Sequence, residues 1–555
     1  MNLSKHLVEH ATIGALTAAQ VAATLERTVP SAAPRGSESW LNDLYNGFDI
    51  YSRGFVKTPT IFFDPRSSAT KELGTYNYPY KTAADVIARC AGVMGGQTLG
   101  IKRGSTVNLP VTQDGLILTV CGTATADFSI VPYGDASALP IITGLVTVPA
   151  NRWALYSGSI YGCNIGLMYS SDASIWSNTE RDLWQNGVRI IKKTSLAGVT
   201  GPGMCYWNNT DTTGGKTAKT IYAWLYASEV PTTQVKTQGP DLALRIVYPN
   251  LAAVGYISVA GMDIEGVRNN CLSFATTGVT SSISTADRVS VVGCRGGRVG
   301  VDMSGGSGGM DAFVVYGPEN TKRLTNLYCA GNYAYDALNN ALEVANIGSG
   351  VQEYSSSYDC RGNSIIEMWE AVSGMISRYN MGELSAPGLQ AYPAGAGNVF
   401  WINNRYGGAP DTVHTNNINN QVYFNLGIAP QKNGIQLNGG GDGGAHKVYN
   451  NTFIFDMDRT GSTSSNAFVS NSTAPAGFCD ISNNIFFLMD TGTPTNYFAC
   501  GQITQTLGAS AGVPTGTKNV YLVTQNATLN LYRAGFAYNG GREKSFTTAK
   551  AALAA

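Results

Sequence analysis

Between residues 343 and 436 the chain repeats one local pattern: a small or apolar residue, an apolar residue, a polar residue, then more apolar character. The polar positions are Glu343 (ALEVAN), Glu367 (IIEMWE), Gln390 (GLQAYP), His414 (TVHTNN) and Gln436 (GIQLNG), at steps of 24, 23, 24 and 22 residues. A unit this short cannot bury a hydrophobic face alone. It must stack on copies of itself, and fixed-period self-similarity predicts a solenoid. Function is then expected along an elongated wall built from many coils.

Composition decides which kind of solenoid. The 555 residues include 65 Gly and 29 Tyr, only 13% are charged, and Asn, Thr, Ser and Val are abundant. Those residues suit strands and tight turns, so an all-β class is expected. Lys+Arg and Asp+Glu balance at 37 each, which leaves no electrostatic footprint for nucleic acid. No stretch approaches the roughly 18 apolar residues of a membrane span, and the opening MNLSKHLVEHATIGALTAAQ lacks an export signal's apolar core. A soluble protein without membrane insertion is expected. The ten cysteines form no CxxC pair and no metal-ligand spacing, so neither a metal site nor a cofactor is expected. Cys294 (VGCRGG), Cys329 (LYCAGN) and Cys360 (YDCRGN) share a local frame, which predicts buried thiols at an equivalent point of successive coils.

Along the chain, FFDP is followed by YPYKT with a short helix, then QTLGIKRGST, IVPYG and PIITG. Asparagine pairs come later, in HKVYNNTFIF and CDISNNIFFL and at Asn339-Asn340, Asn403-Asn404, Asn416-Asn417 and Asn419-Asn420. Asn tolerates left-handed backbone and can bond along a stack, a reason for it to recur at one corner. Over roughly residues 60–490 this order resembles the right-handed parallel β-helix proteins of the pectate-lyase-like superfamily.

The resemblance implies an organisation. Residues 1–56 form a partly helical adaptor or cap, with helical spacing at 16–29; 57–200 are N-terminal coils with their cap; 201–250 are a strand excursion; 251–490 are the main β-helix; and 491–555 are C-terminal coils and a terminal helix. Phage tailspikes and capsular depolymerases combine such an adaptor with such a body. The resemblance therefore implies a virion tail protein assembled in the host cytoplasm, a homotrimer joined to other tail proteins through its N-terminal segment, and a bacterial capsule or lipopolysaccharide as partner.

The period also supplies candidate chemistry. Extended backwards it takes in Asp302 (GVDMSG) and Ser273 (CLSFAT), placing Asp302, Glu343 and Glu367 in one column. Coils spaced by about 4.8 Å put neighbouring carboxyls roughly 5 Å apart and the outer pair roughly 10 Å apart. Like charges so close cannot all ionise cheaply, so one holds a proton while its neighbour stays charged. Glycoside hydrolysis needs that pairing, at about 5 to 5.5 Å for retention and about 6.5 to 9.5 Å for inversion. A solvated strand face also repeats polar residues. Here the residues are acidic, adjacent, and flanked by Trp369, Tyr392 and Trp401, with Tyr354, Tyr358 and Tyr379 nearby, as a sugar groove requires.

The expected catalytic residues are Glu367, Glu343 and Asp302, and the expected substrate contacts are Trp369, Glu370, Gln390, Tyr392, His414, Arg361 and Arg378. Glu370 is a second acid that extended backbone would turn to the other side of its strand. A polysaccharide lyase is the chemical alternative. It needs a basic residue, and the stretch between Lys322 and Lys432 has no lysine, leaving Arg361, Arg378 or Arg405. Hydrolysis is therefore favoured over elimination. A spike that only holds glycan is the other alternative.

Overall fold

The computed structural model describes residue 50 and residues 53–545, apart from 110–114, 165–180, 233, 277–281, 301–309, 319–321, 384–396, 404–416, 429–432, 440–444, 457–463, 473–478, 490–496, 500, 504–518, 524–534 and 539–541. Three sheets run along the chain, and each coil visits them in turn. In one coil Leu324–Ala330 belongs to an 11-stranded sheet (sheet 1), Tyr333–Ala337 to a second 11-stranded sheet (sheet 2) and Leu342–Ala345 to a 14-stranded sheet (sheet 3). Strands pair in parallel from coil to coil, as in Glu343 opposite Glu367. Sheet 3 closes with an antiparallel pair, Gly535–Tyr538 with Arg542–Ser545. The architecture is a parallel β-helix, which is what so short a period requires.

Strand alternation sorts residues between core and exterior. In sheet 3, Leu342 and Val344, Ile366 and Met368, Phe400 and Ile402, and Ile435 and Leu437 all belong to the central core cluster. The residues between them, Glu343, Glu367, Trp401 and Gln436, form one outward column. At the N-terminal end the helix Ala83–Arg89 follows YPYKT as expected, its first turn capped by Thr82 Oγ1, which accepts from the Asp85 amide at 3.2 Å. Val86 and Cys90 drop from it into the core.

The asparagine pairs have two jobs. In three pairs the first member takes left-handed backbone, with φ of 55° at Asn419 and 56° at Asn450 and Asn483. The second stacks: the amide N–H groups of Asn380, Asn425, Asn451 and Asn484 each donate to the side-chain oxygen of the next ladder residue, Asn425, Asn451, Asn484 and Asn519, at 2.9 to 3.0 Å. Buried turn amides are thereby satisfied from coil to coil. Tyr354, Tyr379 and Phe424 hold the left-handed position in neighbouring coils and stack ring on ring at 5.4 and 5.6 Å.

A histidine completes another corner ladder. Met375 donates to Asn420 Oδ1 at 2.9 Å, and Asn420 in turn donates its amide to His446 Nδ1 at 3.3 Å. His446 must therefore be neutral with its proton on Nε2, and burial pushes its pKa down from 6.5 to about 4. Because the unfolded chain binds the proton first, stability is fully present above pH 6.5 and is lost as pH falls toward 4. A shift of this size corresponds to about 3 kcal/mol. His446→Asn, which supplies an uncharged acceptor, should flatten that part of the pH–stability curve; denaturant titrations at pH 4.5 and 7.0 would read the difference.

The excursion begins earlier than residue 201. The chain leaves sheet 2 after Ile141–Thr143 and rejoins sheet 3 at Leu242–Tyr248. Between them, strands from Leu145–Thr147 to Val235–Gln238 build a five-stranded and a four-stranded sheet, mostly antiparallel, over a separate core that includes Val148, Leu183, Ile190, Trp207 and Ile221. Antiparallel pairing ignores the coil period, so periodicity gave no warning of where it starts. A buried charge network fastens this unit to the β-helix. Asp182 pairs with Arg189 and with Lys192 at 2.6 Å, Arg189 reaches Asp336 of sheet 2 at 2.7 Å, and Trp184 Nε1 donates to Asp336 at 2.8 Å.

From the N-terminal segment, Ile50 packs with Val292 and Ala330, and Phe55 stacks on Tyr328 at 5.7 Å against sheet 1. The helical spacing at 16–29 and the terminal helix lie outside the described residues. Cys294, Cys329 and Cys360 are all buried, but not at equivalent points: Cys329 is in sheet 1, Cys360 in sheet 2, and Cys294 donates from its amide to Asn332 in the turn between the two sheets. Strand pairing sets Val292 beside Ala330, which shifts the shared frame by three residues. No helix among the described residues is long and apolar enough to cross a membrane.

Candidate functional site

The outward column of sheet 3 reads Arg245, Ser273, Val314, Glu343, Glu367, Trp401 and Gln436 on consecutive rungs. Glu343 and Glu367 are side by side as the period predicts, and Ser273 and Gln436 are on the same line. The outer rungs differ from expectation. Val314 precedes Glu343 where Asp302 was expected, and Trp401 follows Glu367 where Gln390 was expected. Asp302, Gln390, Tyr392, Arg405 and His414 themselves lie outside the described residues. The regular step fails after Glu367 because its partners Trp401 and Gln436 come 34 and then 35 residues on, so longer coils have replaced the short ones.

Although they point away from the core, Glu343 and Glu367 are only 3% and 1% exposed. Amides and a phenol hold them. Asn340 Nδ2 donates to Glu343 at 3.0 Å and to Glu367 at 2.7 Å, so the two carboxyls lie within about 6 Å of each other. Glu367 also accepts from Asn363 at 3.3 Å and Asn403 at 3.0 Å, and Tyr316 donates its hydroxyl to Glu343. A third acid completes the group. Asp311, fully buried just before the strand Phe313–Tyr316, interacts with Glu343 and accepts the Asn340 amide at 2.8 Å.

The electrostatics follow from burial and crowding. Burial pushes Asp311 well up from the carboxylate range, and the charges of Glu343 and Glu367 push it further. Burial also raises Glu343; hydrogen bonds from Tyr316, Asp311 and Asn340 oppose this, and the charge of Glu370 adds to it. Tyr316 is held protonated, chiefly by burial and then by the charge of Glu343. At least one proton therefore stays within the cluster near neutral pH.

Half-buried groups surround the acids. Trp369 and Glu370 follow the strand Asn363–Met368, and Trp369 Nε1 donates to Glu370 at 2.8 Å. Glu370 does not turn away, because the strand ends at Met368 and the chain bends through left-handed backbone at Ala371; its charge is felt at Glu343. Trp401 and Gln436 continue the column on the other side, and Gln436 accepts from Asn398 at 2.9 Å.

The two arginines stand elsewhere. Arg361 is 4% exposed beneath the excursion, close to Asp336 and Arg189, and is not at the acids. Arg378 is on sheet 1, paired with Glu353 at 2.8 Å and lying 5.6 Å from the Tyr379 ring. Tyr354 and Tyr379 occupy the turn after sheet 1, and Tyr358 is in sheet 2. Each was close to the acids in sequence but on another wall of the coil. Among the described residues no group of three or more His, Cys, Asp and Glu is arranged to hold a metal ion.

No protein-family model and no curated protein matches the chain. Solved structures that resemble it include XylC in complex with xylose, at 12% identity and a TM-score of 0.45 over 82% of this chain and 69% of that one. Another is the native GH136 lacto-N-biosidase of Eubacterium ramulus, at 12% identity and 0.45 over 87% and 70%. The Pseudomonas phage phi297 tailspike is similar at 10% identity and 0.28 over 78% and 72%. At such distances no activity passes from them to this chain.

Proposed function

We propose that the protein binds and cleaves a bacterial surface polysaccharide by glycoside hydrolysis, with Glu343 and Glu367 as the reacting pair. The observation that carries this reading is their placement on adjacent rungs, bridged by one Asn340 amide and followed by Trp401 on the next rung. Glu343, raised by burial and adjoining Asp311, is the general acid: it gives its proton to the glycosidic oxygen as the bond from the anomeric carbon to that oxygen breaks. Glu367, accepting three amide hydrogen bonds, attacks the anomeric carbon as a carboxylate. Water then displaces it, and Glu343 takes back a proton from that water. A separation within about 6 Å favours this retaining course over inversion. Trp369 and Trp401 offer sugar-stacking faces, and Glu370 and Gln436 offer hydroxyl partners.

Elimination is less favoured, because two of its three candidate bases, Arg361 and Arg378, are placed away from the acids; the third, Arg405, lies outside the described residues. A homotrimeric tail protein, attached to a phage particle through residues 1–56 and directed at capsule or lipopolysaccharide, belongs to the same proposal and rests on the sequence resemblance. Purified protein incubated with such polysaccharides tests the reading. Shorter chains with new reducing ends are expected. Unsaturated uronate products would replace it with a lyase, and intact bound polymer with a receptor-binding spike.

A further inference from the structure

We propose that Asp311 is a positioning residue that holds a proton against Glu343, and that it arises where one rung of an amide ladder carries a carboxyl instead. The proposal rests on the hydrolytic reading for its consequence and on the ladder for its argument. At the corner leading into sheet 3, Asn270, Asp311, Asn340, Asn363, Asn398 and Asn433 stand on successive coils. Asp311 N–H donates to Asn270 Oδ1 at 3.3 Å, Asn340 N–H to Asp311 Oδ1 at 2.8 Å and Asn363 N–H to Asn340 Oδ1 at 3.1 Å. One oxygen on each rung thus receives the next coil.

The other side-chain atom on the amide rungs is a donor directed at the outward column. Asn340 Nδ2 donates to Glu343 and Glu367, Asn363 Nδ2 to Glu367, and Asn398 Nδ2 to Gln436. On the Asp311 rung that atom is Oδ2, fully buried and without a hydrogen-bond donor among the described residues. The column residue on its own coil, Val314, can bond nothing, while the Glu343 carboxyl on the next coil interacts with it. Two carboxyl oxygens facing each other without a proton repel. Only as Oδ2–H does Asp311 do what the amide does elsewhere, donating to Glu343.

Among the described residues, the other titratable groups facing Asp311 act in the same direction or are neutral. Glu367 adds negative charge, while Tyr316 and the buried Cys360 thiol stay protonated. The Oδ2 proton is shared by the Asp311–Glu343 pair: Glu343 takes it up from Asp311, passes it to the leaving oxygen and regains one from the water of the second step. In the resting enzyme the negative charge shared by the pair keeps Glu343 protonated to higher pH.

Asp311→Asn is the test, since Asn is isosteric and is the residue of the neighbouring rungs; its thermal midpoint at pH 7 should equal or exceed that of the parent. The alkaline limb of the kcat/KM profile should move down by at least about one pH unit, because Glu343 loses a negative neighbour and gains a fixed donor. An unchanged profile would reduce Asp311 to a ladder member and overturn the proposal. Infrared spectroscopy of the full chain keeps the test independent of cleavage. A protonated-carboxyl band present at pH 7 and lost in Asp311→Asn is expected, and its absence from the parent protein overturns the proposal. Failure of the parent to cut any polysaccharide, with the band present, would instead sink the hydrolytic reading alone.

Discussion

Replacing Glu367 with Gln should lower polysaccharide cleavage by about a thousandfold or more while leaving the β-helix folded. Gln keeps the volume and one oxygen, so the bonds from Asn340 and Asn363 can persist; the second position becomes an N–H group facing the Asn403 amide, donor against donor. That mismatch costs about 1–3 kcal/mol, since Asn403 and Glu367 are both buried. The activity loss has another origin: an amide cannot attack an anomeric carbon. Release of reducing ends should therefore collapse while circular dichroism and the cooperative thermal transition persist. Retention of glycan by the inactive variant would separate binding from cleavage. Turnover within a factor of ten of the parent would remove Glu367 from the mechanism, and an inactive Glu343→Gln beside it would move the reaction to the Glu343–Asp311 pair.

What was readable in the sequence was whatever repeats within one coil. The column of Glu343 and Glu367 and the asparagine corners follow from local spacing, because a strand position and a turn residue recur at each turn of a solenoid. The reading failed where coils change length. A fixed step continued past Glu367 reaches Gln390, whereas strand pairing puts Trp401 there; extended backwards it reaches Asp302, whereas Val314 holds the rung. The acid that takes the third place was visible by a different alignment. Asp311 stands three residues before Val314 as Asn340 stands before Glu343, so aligning DAFVV on NALEV through the asparagine would have found it. Arg361 and Arg378 show the converse error. Nearness in sequence to Glu367 says little in a coil with three walls: Arg378 is on sheet 1, and Arg361 is in the turn that follows the sheet 2 strand Ser356–Cys360.

The charge network beneath the excursion supplies the second large effect. Asp182 is 2% exposed and is shared by Arg189 and Lys192. Burial alone would raise its pKa; the two cations more than offset that and hold it below 3.8. Asp182→Ala removes the anion and leaves two buried cations, with Asp336 the remaining anionic partner of Arg189. Removing one partner of a buried pair costs about 3–5 kcal/mol, because the surviving charge stays desolvated. The loss should be local. The excursion has its own core and meets sheet 2 through Asp336, so limited proteolysis within 145–238 should accelerate while the coils on either side stay protected. The pH sign provides an internal check. A carboxyl with a depressed folded-state pKa contributes stability above its unfolded value of 3.8 and loses it as pH falls through the lower folded value, so parent and variant should converge in acid. Adding Lys192→Met to Asp182→Ala should recover part of the loss by removing one of the two buried cations. A single variant that costs under about 1 kcal/mol at neutral pH would mean that packing, not the ion pairs, fastens the excursion to the β-helix.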